Sequence, residues 1–143
     1  GWTGAPASTP RLVAGVQAGA HRTDDAAYTA FLSSSENCLG ALVQALREND
    51  TAEISHRIEE NRRLLSGLSR ASGITIETPQ LRRLAEIAQE HGAVAKSSGA
   101  GGGDCGIALC PPETDTAAMC AAWEKAGIHP LDLSVHFHPE VTP

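Results

Sequence analysis

The chain has 143 residues, 41% of them apolar and 3% aromatic, and carries a formal charge of -6 from 11 basic and 17 acidic side chains. That length suits one domain able to bury roughly two-thirds of its unfolded surface, around a core of leucine, isoleucine, valine and alanine. The acidic balance excludes nonspecific attraction to nucleic acid or anionic membrane, so any anionic ligand has to be held by local geometry.

Gly4, Pro6 and Pro10 punctuate the start, and Thr9-Pro10 reads as an N-cap and first helical position, predicting a short helix from Pro10 to near Gly19. From Thr23 to about Glu48 the apolar residues Ala27, Phe31, Cys38, Leu39, Leu42 and Leu46 recur at helical spacing, with a bend expected at Ser33–Ser35 or Gly40. Asp50 and Glu53 form a capping box for a second long helix. Its apolar stripe is Ile54, Ile58, Leu65 and Leu68, and its face bearing Glu59, Glu60, Arg62 and Arg63 is expected in solvent. The two long helices should be antiparallel neighbours turning near Asn49.

Ile74–Ile76 is a brief connection, after which Thr78-Pro79 repeats the cap-and-proline signal for a helix that Gly92 ends. Val94 and Ala95 lead as a short strand into a glycine loop, and Cys105–Cys110 reads as a buried strand halted by Pro111 and Pro112. Thr114 is the expected cap of a helix carrying Met119, Cys120 and Trp123. In the last segment Leu131, Leu133, Val135 and Phe137 alternate with Asp132, Ser134, His136 and His138, the pattern of a half-buried strand. The order implies an α+β sandwich compatible with a split βαβ arrangement, over residues 1–143 as one domain.

The chemistry concentrates in Lys96-Ser97-Ser98-Gly99-Ala100-Gly101-Gly102-Gly103-Asp104. Glycines let backbone amides approach an anion and adopt positive φ without steric penalty, Lys96 adds a point charge, and the two hydroxyls add rotatable donors. The anion this suits best is a phosphate. The pattern is neither a P-loop, in which lysine follows the glycines, nor the spaced glycine fingerprint of dinucleotide-binding folds. Asp104 reads as a residue that shapes the loop by accepting local backbone N–H groups.

Outside the loop the sequence is bland. Cys38, Cys105, Cys110 and Cys120 form no CxxC pair, and no secretory leader or bilayer-length apolar run is visible, so a reduced, cytoplasmic chain is expected. Cys105 and Cys110 have opposite parity along a strand, which argues against a shared zinc, and His136 and His138 read as a solvated face rather than a metal pair. Trp2, Trp123 and Met119 read as packing groups, and no metal site is expected.

Lys96–Leu109 resembles the third conserved motif of the GHMP kinases, the superfamily of galactokinase, homoserine kinase, mevalonate kinase and phosphomevalonate kinase. The Lys96-Ser97-Ser98 start and the Gly103-Asp104-Cys105 end are most similar to the bacterial phosphomevalonate kinases, as is the opening Gly1-Trp2-Thr3-Gly4-x-Pro6-Ala7-Ser8-Thr9. The resemblance covers the whole chain as a C-terminal domain and implies an α+β fold, a ferredoxin-like split βαβ with additional long helices. It implies ATP-dependent conversion of phosphomevalonate to the diphosphate, with Mg2+, in a cleft between two domains. It places Lys96, Ser97, Ser98 and the backbone of Gly99, Ala100, Gly101, Gly102 and Gly103 beside the substrate or transferring phosphate. Thr3, Ser8 and Thr9 are weaker candidates for the cleft wall.

The same resemblance implies an N-terminal domain holding the nucleotide loop (Pro-x-x-x-Gly-Leu-Gly-Ser-Ser) and the residues of phosphoryl transfer. Neither that loop nor its lysine occurs in this sequence, so residues 1–143 alone are expected to be inactive. The expected partners are ATP, phosphomevalonate and that N-terminal domain, with a homodimer as a further expectation from apolar faces left uncovered. Two alternatives stay open at this point: another small-molecule kinase of the superfamily such as mevalonate kinase, and a non-catalytic ligand-binding or subunit-interaction module.

Overall fold

A computed structural model describes residues 1–23 and 25–134. Its elements are α1 (Thr9–Thr23), α2 (Asp25–Glu48), α3 (Thr51–Ser72), α4 (Pro79–Glu90), β1 (Val94–Ser97), β2 (Gly106–Leu109) and α5 (Thr116–Lys125). The expected His136 and His138 face lies outside the described residues.

Helix ends obey local chemistry. The Asp50 carboxylate accepts from the Glu53 amide at 3.0 Å and caps α3, while Gly73 in the left-handed region closes it. The other half of the expected capping box is absent, because Glu53 turns to Arg57 Nε at 2.7 Å and the Asp50 amide donates to Ala45 O. Thr78 Oγ1 accepts from the Leu81 amide and caps α4, with Pro79 at the first position. Two caps differ from the sequence reading. The Ser8 carbonyl accepts from Leu12, so α1 begins a residue early, and it also runs past Gly19 to Thr23. At α5 it is Asp115, not Thr114, that accepts from Ala118. α2 is continuous through Ser33–Ser35 and Gly40, where a bend was expected. It packs along α3 as an antiparallel hairpin, with Asn49 at φ 54° in the turn.

β1 and β2 pair antiparallel, Val94 with Leu109 and Ser97 with Gly106. Trp2 bridges antiparallel to Cys105 on one side and to His129 on the other. Taken in chain order, the Trp2 stretch, β1, β2 and the His129 stretch lie across the sheet as fourth, first, third, second, the strand order of a ferredoxin-like split βαβ unit. The fold is therefore a mixed α/β domain, a small sheet with helices on one face.

That face holds the core. Leu84 and Ile87 of α4, Ala95 of β1, Met119 and Trp123 of α5 and Ile128 are all buried, and Trp123 Nε1 donates to Leu84 O at 3.0 Å. Gly106 faces the same way, where a Cβ would lie 2.7 Å from Leu84 Cδ1. The opposite face is open. Ile107 and Leu109 are 42% and 38% exposed, so β2 is not the fully buried strand its apolar run suggested. Leu131–Ser134 likewise forms no strand, and the rest of that expected strand lies outside the described residues. Among the described residues no helix is long and apolar enough to cross a membrane.

Candidate phosphate-binding site

The glycine loop is the hairpin joining β1 to β2, closed where the Ser98 amide donates to Cys105 O at 2.8 Å. Five of its residues have positive φ: Gly99 (70°), Gly101 (80°), Gly102 (78°), Gly103 (128°) and Asp104 (60°). A non-glycine residue there carries a steric cost that aspartate tolerates better than most.

The loop is anchored by main-chain bonds to two distant segments. The Gly102 amide donates to Ile76 O at 2.7 Å, and the Asp104 amide donates to Ala5 O at 2.6 Å. Asp104 O accepts from both the amide and the hydroxyl of Thr3, each at 2.8 Å. Thus Asp104 fastens the loop through its backbone. Its carboxylate is not the acceptor of local amides that the sequence suggested; it receives only the Cys105 thiol, at 3.7 Å, among the described residues. Thr3 is buried in the same anchor, with its hydroxyl already engaged.

With Gly102 and Asp104 so used, the amides of Gly99, Ala100, Gly101 and Gly103 meet no acceptor among the described residues. Beside them stands the start of α1. A Cβ on Gly102 would lie 2.7 Å from Leu12 Cδ1, in the first turn of that helix. Free loop amides and a helix N-terminus, with its partial positive charge, form a concentrated set of donors for an anion. Ser8 and Thr9 sit at that terminus, exposed. An apolar hollow of about 210 Å³ lies alongside, lined by Leu12, Val16, Tyr28, Phe31, Ile76 and Ala100.

Strand geometry separates the three residues that lead into the loop. Ser97 is buried on the helix side, whereas Lys96 falls on the open side, and Ser98 follows the strand in the bend that opens the loop. Lys96 Nζ donates to Ser97 O at 2.9 Å, and partial burial pushes its pKa down. An anion nearby would restore the preference for the charged form. The sequence motif is therefore not a single cluster of side chains; the hairpin presents mainly backbone.

Residues the sequence did not flag hold the second anchor. Ser69 Oγ donates to Ile74 O at 2.6 Å and accepts from the Ile76 amide at 3.3 Å, shaping the bend before α4. Next to it Arg62 grips Glu77 with Nε–Oε2 at 2.6 Å and Nη2–Oε1 at 3.1 Å, and Arg82 adds a contact at 3.4 Å. Burial pushes the Glu77 carboxyl up, but its bonds to Arg62 and Arg82 outweigh that and hold it below the ordinary value. Arg62 thus leaves the solvated face assigned to it. No sequence spacing links positions so far apart.

Fold and loop together define a small-molecule kinase C-terminal domain, and residues 42–129 match the GHMP kinases C terminal family. The chain belongs to that family. It is 40% identical over 136 residues to the phosphomevalonate kinase of Streptomyces sp. (strain CL190), covering 94% of this chain and 36% of that protein. It superposes with a TM-score of 0.84 on the Lin0012 protein from Listeria innocua, at 38% identity, covering 89% of this chain and 36% of that one. With the Streptococcus pneumoniae phosphomevalonate kinase in complex with phosphomevalonate and AMPPNP the TM-score is 0.78 at 38% identity, covering 92% and 37%. The chain spans about a third of the length of these relatives.

Proposed function

We propose that this chain is the substrate-side half of an ATP-dependent phosphomevalonate kinase, and that its glycine hairpin holds a phosphate group in the interdomain cleft. The observation that carries this is the set of free amides at Gly99, Ala100, Gly101 and Gly103 beside the start of α1. Such donors are fixed before the anion arrives, so they stabilise charge without reorganising. They orient the phosphate; Lys96, on the open side of β1, and the Ser98 hydroxyl, in the bend after it, supply further donors at the loop's base. The apolar hollow beside Ala100 is the seat for the ligand's methyl-bearing carbons. The likeness to phosphomevalonate kinases over nearly the whole chain supports the choice of substrate.

ATP would contribute the transferred phosphoryl group, bound largely by residues outside this chain. Among the described residues no group of three His, Cys, Asp or Glu could hold a metal ion. Residues 1–143 alone supply positioning without the rest of the phosphoryl-transfer machinery, and no turnover is expected from them.

A coupled ADP-release assay on the full-length polypeptide, with phosphomevalonate, mevalonate and homoserine, tests the reading. Phosphomevalonate should be the preferred substrate, and Gly102→Ala should depress its kcat/KM far more than Glu124→Ala on the exposed face of α5. Preference for mevalonate would move the protein to a sister activity of the superfamily. Absence of any substrate-dependent ADP release would favour a non-catalytic binding module.

A further inference from the structure

Helix α2 packs along α3 and lightly against α1, and much of the rest of its surface is open. Cys38 and Ala45, seven residues apart, are buried on the α3 side, where Cys38 Sγ donates to Arg57 O at 3.4 Å. Leu32, Leu39, Val43 and Leu46 lie between 48% and 54% exposed, and their spacing of seven, four and three residues makes them one continuous stripe on the open side. Glu36 and Arg47 flank that stripe three turns apart on one line of the helix. Both are exposed, and neither makes an ion pair among the described residues. Gly40 stands between them in mid-helix, where a Cβ would meet nothing within 4 Å. A glycine there weakens the helix, and no contact among the described residues accounts for it.

We propose that this face binds a second copy of the chain, the two α2 helices lying antiparallel about a two-fold axis that passes between Ala41 and Leu42. Three features of the face are complementary to themselves in that arrangement. Glu36 lies level with the partner's Arg47 and Arg47 with the partner's Glu36, so the symmetry makes two opposite-charge pairs from side chains that have none within the chain. The apolar stripes interdigitate: the partner's Leu46 falls just ahead of Leu39, and the partner's Val43 falls between Leu39 and Val43. Gly40 lies level with the partner's Val43, and its missing side chain gives that residue room. A parallel pairing in register would instead set Glu36 against the partner's Glu36 and Arg47 against the partner's Arg47. The hollow beside the glycine hairpin takes Tyr28 and Phe31 from the start of α2, whereas this contact is centred more than two turns further along. The inference therefore stands independently of the catalytic reading.

Charge reversal tests the symmetry. Sedimentation of the full-length polypeptide from about 1 to 100 μM should show a monomer–dimer equilibrium shifted to dimer at the upper end. Glu36→Arg and Arg47→Glu each set like charges together at both pairs, and each alone should weaken the dimer by about tenfold or more. Mixing the two variants in equal amounts should restore association to within about threefold of the unchanged protein, because every altered residue then faces an opposite charge on its partner. That recovery also shows that both variants fold, and no contact within one chain can produce it. A monomer throughout the range would overturn the proposal, as would a dimer indifferent to either reversal. Failure of the mixture to recover would overturn it too, since the face would then be covered by another segment of the same polypeptide or by a partner without this symmetry.

Discussion

Placing a methyl group on Gly101 should unseat the glycine hairpin, whereas the same change two residues away at Gly99 should not. Both glycines have φ in the left-handed region, 80° and 70°, so each alanine carries a backbone cost of about 1–2 kcal/mol. Around Gly99 a new Cβ meets nothing within 4 Å, and that cost is the whole effect. At Gly101 the Cβ would collide with the carbonyl oxygen of Ile76, the same atom that accepts from the Gly102 amide. Relieving the collision breaks that bond, adding about 1 kcal/mol, so Gly101→Ala should cost roughly 2–3 kcal/mol in total. Urea unfolding of the two variants should separate their midpoints, with a thermal difference of about 3 °C between them. On the proposed function, the displaced amides should lower kcat/KM of the full-length polypeptide for phosphomevalonate by about tenfold beyond the Gly99→Ala loss, or ~1.4 kcal/mol of transition-state binding. Equal costs for the two alanines, in stability and in activity, would refute the claim that Ile76 anchors the loop.

Three further outcomes are expected from the packing around that anchor and the core. Glu77→Gln should cost about 1–2 kcal/mol by leaving Arg62 half-buried without its carboxylate. Because Glu77 is held below its ordinary 4.5, its ionised form stabilises the fold above that pH, and this is lost as pH falls through the lower folded value. Acid titration of stability should therefore flatten in the Gln variant, and an unchanged profile would remove Glu77 from the account. Leu84→Ala, in the centre of the core at 0% exposure, should cost about 2–5 kcal/mol by chemical denaturation. Thr3→Val should cost about 1 kcal/mol, the net worth of its hydroxyl bond to Asp104 O, with amide shifts confined to the loop and its neighbours.

What could be read from the sequence was what depends on near neighbours. Asp50 with Glu53 and Thr78 with Pro79 mark helix starts because each cap reaches only three residues ahead. The glycine run marks the hairpin because five unusual φ values, those of Gly99 and Gly101 to Asp104, need residues that tolerate them. Illegible were features set by distant partners. Which backbone amides stay free depends on Ile76 and Ala5, far along the chain from Gly102 and Asp104. Arg62 looked solvated until Glu77 folded against it. The strand expected from Leu131 has the right alternation, but its described part, Leu131–Ser134, forms no ladder, because alternation alone supplies no neighbour.

The central claim is that this hairpin, through its backbone, holds the phosphate. Amide chemical shifts of the full-length protein titrated with phosphomevalonate test it most directly. Gly99, Ala100, Gly101 and Gly103 should shift strongly, while the Gly102 and Asp104 amides keep the slow exchange of groups bonded to Ile76 and Ala5. Saturable binding that leaves those four amides unmoved and shifts residues elsewhere would contradict the account.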